Sequence, residues 1–193
     1  MPTETLRLCY RVTEVPKYSH FRLYIDQPIW GPSGGNPVGY CEWDEFGIGW
    51  DDNAIAYGPS YWTVDNVVIT SGSLFSGRPW NNLFSGTWGT ETSKCDYQNY
   101  GGGYVDFHKA DNVKIAPNKI GLYASNNQGS YQNSCPSAFR LYGLNENNEY
   151  ELIKSIDYSS VNKGNTALTT VTFDNTVVRS RSEERFSRNA ETD

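Results

Sequence analysis

The chain has no apolar run approaching the roughly 20 residues that a membrane-spanning helix needs, so membrane insertion is not expected. Its first residues, Met1-Pro2-Thr3-Glu4, lack both the basic and the apolar portion of a secretory leader. No asparagine begins an Asn-x-Ser/Thr acceptor, which speaks against passage through a eukaryotic secretory pathway. Positive charge is scarce too: 16 Lys and Arg stand against 22 Asp and Glu, a formal charge of −6. Nucleic acids and anionic lipids demand clustered cations, so neither is expected as a partner.

Signatures of catalysis are missing as well. There is no Gly-x-Ser-x-Gly elbow, no phosphate-binding glycine loop and no metal-ligand spacing. Of the two histidines, His20 precedes a strand pattern and His108 follows one, positions that read as surface or capping residues. On a strand Glu42 and Asp44 share a face and Glu45 takes the other; beside Trp43 these acids read as solubilising or locally paired groups. Glycoside cleavage by such carboxylates would need a cleft that the sequence does not indicate, and no enzyme is expected. The four cysteines (Cys9, Cys41, Cys95, Cys135) are spaced too widely for a zinc knuckle and allow three pairings or free buried thiols.

What is abundant is turn chemistry and aromatic surface. The 18 Gly and 9 Pro, with many Asn and Ser, interrupt the chain at the spacing of an all-β domain and leave no room for long helices. At 193 residues a single sandwich is the economical reading. The peptide Phe-Arg-Leu-Tyr occurs at Phe21 to Tyr24 and again at Phe139 to Tyr142, each within an alternating stretch that marks a half-buried strand. Further strand patterns lie at Leu6 to Val12, Tyr40 to Phe46, Val67 to Thr70, Tyr104 to Phe107, Val113 to Ile115, Lys119 to Tyr123, Tyr150 to Ile156 and Leu168 to Phe173. Trp30 opens a Pro/Gly loop, Trp62 ends a long connection, and Trp88 to Gly103 reads as a Tyr/Gly loop. With 14 Tyr and 6 Trp, the chain has more rings than a core of this size needs, so some are expected on the surface, where rings usually bind.

The order of several motifs resembles the galactose-binding-like, or discoidin-type (factor 5/8 C-terminal type), β-sandwich, in versions borne by phage structural and receptor-binding proteins. The motifs are Phe21-Arg22-Leu23-Tyr24-Ile25 followed by Cys41-Glu42-Trp43, the loop Asn82-Leu83-Phe84-Ser85-Gly86, and the strand Tyr104-Val105-Asp106-Phe107. Pro136 to Asn145, carrying Phe139, Leu141 and Gly143, and the returning strand Tyr150-Glu151-Leu152-Ile153 complete the set. The resemblance implies an all-β, jelly-roll antiparallel sandwich over residues 18–175; outside it the sequence reads as an N-terminal extension of one strand at 1–17 and a C-terminal arm at 176–193. Ser85 stands where many relatives carry an aspartate that helps hold a structural calcium. A hydroxyl is a poorer ligand for a hard cation, which weakens the case for calcium, and no cofactor is expected.

In such a family, loops at one end of the sandwich bind a sugar, a lipid head group or a protein. Trp80, Trp88, Tyr97 and Tyr100, with Arg78 and Asn99 beside them and with Trp30 and Trp62, are the candidate ligand-binding residues. A flat ring stacks on the apolar face of a pyranose while Asn or Arg bonds its hydroxyls; the alternative for any single ring is that it plugs a loop base against the core. The C-terminal segment carries a single large apolar group, Phe186, among balanced charges. Alone it would be disordered. A partner is therefore expected to hold it through Phe186, with Arg181, Arg185 and Arg188 pairing with carboxylates. The reading that follows is a non-enzymatic carbohydrate-binding or adhesion subunit on a virion surface, assembled with other structural subunits through its ends. The alternative is a structural adaptor, intracellular or in a cell-surface assembly, that uses the same sandwich for protein contacts and binds no sugar.

Overall fold

The computed structural model describes residues 5–28, 40–70, 73–74, 78–87, 95–98, 102–124, 136–157 and 168–186, in several strands by backbone alone. It forms two compact units, residues 17–175 and a smaller one made from residues 1–16 and 176–193. Among the described residues there is no α-helix, and one 3-10 turn spans Trp80–Phe84.

The larger unit is an all-β antiparallel sandwich of two five-stranded sheets. One sheet contains β2 (His20–Pro28), β4 (Trp62–Ile69), β7 (Gly103–Lys109), β9 (Pro136–Leu144) and β10 (Tyr150–Asp157), in the order β10-β9-β2-β7-β4. The other contains β3 (Tyr40–Trp50), β5 (Ser73–Leu74), β6 (Cys95–Gln98), β8 (Pro117–Ala124) and β11 (Leu168–Thr172), in the order β11-β8-β3-β6-β5. Most successive strands change sheet, which is the winding of a jelly roll.

Alternation decides which residues face inward. Phe21, Leu23 and Ile25 of β2, Val105 and Phe107 of β7, and Phe139 and Leu141 of β9 are buried, and Phe46, Ile48, Ile120 and Leu122 meet them from the other sheet. Phe46 touches Phe107 and Phe139 edge-on, with centroids 6.1 and 6.2 Å away, so the two inner faces interlock through one ring. The two Phe-Arg-Leu-Tyr copies are antiparallel neighbours: Leu23 pairs with Leu141, Arg22 with Tyr142 and Tyr24 with Arg140. On the outer face of the second sheet, the paired glycines Gly47 and Gly121 make room for Tyr57. A Cβ on Gly47 would lie 2.5 Å from the Ala56 carbonyl oxygen and 2.6 Å from the Tyr57 ring.

The smaller unit is a two-stranded antiparallel ribbon of β1 (Thr5–Glu14) and β12 (Val177–Phe186), paired from Thr5↔Phe186 to Glu14↔Val177. Arg179 Nε lies 2.6 Å from Glu14 Oε1. Val177–Phe186, part of the segment expected as an arm held by a partner, is thus a strand paired with β1 of its own chain. Three further strand assignments differ from expectation. Cys95–Gln98 is a strand inside the expected Tyr/Gly loop, and Trp62 begins β4. Val113 to Ile115 contributes only a bridge from Ile115 to Tyr18.

Candidate functional site

Two of the rings expected at a binding surface belong to the core. Trp62 is 2% exposed and Trp80 1%. Trp62 packs edge-on against Phe21, Phe107 and Trp50, and its indole donates to the Ala56 carbonyl at 2.9 Å. Trp80 is buried with Leu83 and Phe84 because the 3-10 turn folds them onto the sandwich. Neither can offer a face to a sugar. Arg78 is partly exposed at the start of this turn. Trp30, Trp88, Asn99, Tyr100 and Arg188 lie outside the described residues, and Tyr97, Arg181, Arg185 and Phe186 are placed in β6 and β12 by backbone only.

The described residues that gather chemistry lie on the outer face of the β10-β9-β2-β7-β4 sheet. Residues between the inward positions of β2 and β7 meet there in register: His20 opposite His108, Arg22 opposite Asp106 and Tyr24 opposite Tyr104. Arg22 donates to Asp106 through Nε at 2.6 Å and Nη2 at 2.9 Å. Its guanidinium also lies over the rings of Tyr104 and Tyr150, 3.8 and 4.1 Å from their centroids. The hydrogen bonds that Arg22 donates to Asp106 raise the Arg22 pKa and keep it charged. Burial pushes the Tyr150 phenol up to about 12, and the Asp106 carboxylate adds to that. One row further, Arg140 holds Asp26 at 2.6 and 2.9 Å, donates to the Tyr142 hydroxyl at 2.7 Å, and lies 4.5 Å from the Tyr24 centroid. Tyr24 and Tyr104 stack at 6.2 Å. The outcome is a face on which partly exposed tyrosines alternate with carboxylate-paired arginines. The Phe-Arg-Leu-Tyr repeat is the signal that could have found it, since each copy puts Arg and Tyr on the face opposite Phe and Leu.

A second polar cluster is internal. Glu45 and Asp44 are 0% and 1% exposed; of the two roles expected for these acids, solubilising the surface or local pairing, burial excludes the first. An irregularity in the β3–β8 ladder between Trp43 and Glu45 breaks the simple alternation. Glu45 Oε2 accepts from the Gly86 N–H at 2.8 Å and from Ser85 Oγ at 3.3 Å. Its Oε1 is buried and accepts no hydrogen bond among the described residues. Burial pushes this carboxyl up to about 8, against the lowering by Gly86, Ser85, Gly58 and Thr87. Gly58 and Gly86 both have positive φ, 85° and 74°, and a Cβ on Gly58 would lie 3.0 Å from the Gly86 Cα. Glu45 therefore ties together two loops that meet at glycine. Ser85 is spent on this tie and on Thr87.

Comparison with family models, with curated proteins and with solved structures gives no match to this chain.

Proposed function

We propose that the chain is a non-enzymatic carbohydrate-binding module, a decoration, fibre or receptor-binding subunit of a virus or phage particle, related to the galactose-binding-like sandwiches that its motifs resemble. The observation that carries this reading is the outer sheet face, where Tyr24, Tyr104, Tyr142 and Tyr150 stand between Arg22 and Arg140. Tyrosine rings give an apolar platform for a pyranose, and the Arg–Asp pairs supply hydrogen-bond donors and acceptors in fixed positions. The ligand site thus moves from the end loops to a rigid sheet. The test is a glycan array with the purified chain beside a Tyr24→Ala, Tyr142→Ala variant. Sugar binding that the variant abolishes is expected, and silence across the array sinks the reading.

The structural adaptor remains the second reading because of the terminal ribbon. A two-stranded ribbon has no core of its own, and this one leaves Tyr10 and Val178 exposed, Val178 at 63%. A chain of residues 17–175 separates the two: the adaptor loses assembly and has no sugar to lose, whereas the carbohydrate module keeps its glycan.

A further inference from the structure

Two histidines occur in the whole chain, and the fold brings both to one point. His20 on β2 and His108 on β7 pair directly across the ladder, and their rings stack with centroids 5.2 Å apart at 25°. Asp65 reaches them through a β-bulge. Val64 pairs with Phe107 and Asn66 with the next residue, Asp106, which leaves Asp65 as the extra residue of β4. Its Oδ1 lies 2.6 Å from His108 Nδ1, and Ser19 Oγ lies 3.1 Å from His20 Nδ1. One donor atom from each of His20, His108 and Asp65 falls within 4.8 Å of the others.

We propose that His20, His108 and Asp65 form a binding site for a divalent transition-metal ion of the zinc or nickel type, held by two imidazole nitrogens and one carboxylate oxygen. Imidazole donors select such ions over calcium and magnesium, which take oxygen ligands. Zinc holds nitrogen and carboxylate oxygen at about 2.0–2.2 Å in a tetrahedral shell, so donors on one ion sit about 3.4 Å apart and the three side chains close in on the ion by rotamer adjustment. The backbone is already committed, since two of the donors come from a directly paired position and the third from a bulge that re-aims it. The nearest cation along β2, Arg22, is neutralised by Asp106 and does not oppose a bound ion. Three protein donors leave further coordination positions open, and the exposure of Asp65 turns them toward solvent. The site stands whether or not the tyrosine face binds sugar.

The test uses the full chain without a histidine tag and with its thiols alkylated. Zn²⁺ and Ni²⁺ are titrated by calorimetry, and the two histidine ring systems are followed by NMR. Binding of one ion per chain is expected, with both ring systems responding, no response to Ca²⁺, and affinity weakened about 10-fold or more by Asp65→Asn and by His108→Ala. Asp65→Asn is nearly isosteric and keeps the measurement possible should His108→Ala unfold. Histidine resonances that ignore millimolar metal, or an affinity unchanged in Asp65→Asn, overturn the proposal.

Discussion

Arg140 lies directly opposite Tyr24 in the β2–β9 ladder, its guanidinium 4.5 Å from the ring centroid and doubly bonded to Asp26. The pair is about one-third exposed, so Arg140→Ala should cost no more than about 1 kcal/mol. Sugar retention, by contrast, should fall strongly, because the ring platform loses its fixed donor. A thermal melt beside a glycan-binding assay checks both; a large fall in melting temperature with retained binding contradicts the assignment.

Glu45 sets a pH dependence. Its carboxyl titrates at about 8 in the folded chain against an ordinary value of 4.5. Between those values the folded state holds a proton that the unfolded chain has released, so stability is fullest below pH 4.5 and is lost as pH rises through 8. Glu45→Gln should flatten this slope and melt higher than the parent above pH 8. Urea denaturation across the range measures it, and parallel slopes in the two proteins count against it.

Gly47→Ala should destabilise by about 1–3 kcal/mol, since the added methyl meets a backbone oxygen as well as the Tyr57 ring. Gly121→Ala should cost less, because its closest contact is the hydroxyl end of Tyr57. Chemical denaturation of the two variants should return that order.

Trp80→Ala should lose about 3–5 kcal/mol or fail to fold, as truncation of a buried indole does. Any loss of binding in that variant would report on folding. A variant that melts like the parent would show the indole to be outside the core.

The strand of Phe21 to Ile25 was legible because inward and outward residues alternate without exception, and with it the identity of the core. The fate of the tryptophans was not. Whether an indole beside a loop lies in or out depends on how that loop folds back, and the turn Trp80–Phe84 carries three apolar groups inward together. The burial of Asp44 and Glu45 was hidden for a different reason: a ladder irregularity breaks the two-residue period on which the reading of faces rests. The meeting of His20 with His108 was illegible because it depends on the register of two strands far apart in sequence.

The β1–β12 ribbon also governs how the chain would respond to force. Thr5 and Phe186 are its outermost described partners, so tension applied at those two residues loads one cross-strand pair at a time. Such a ribbon opens like a zipper, at low force and in small steps, through to Glu14 and Val177.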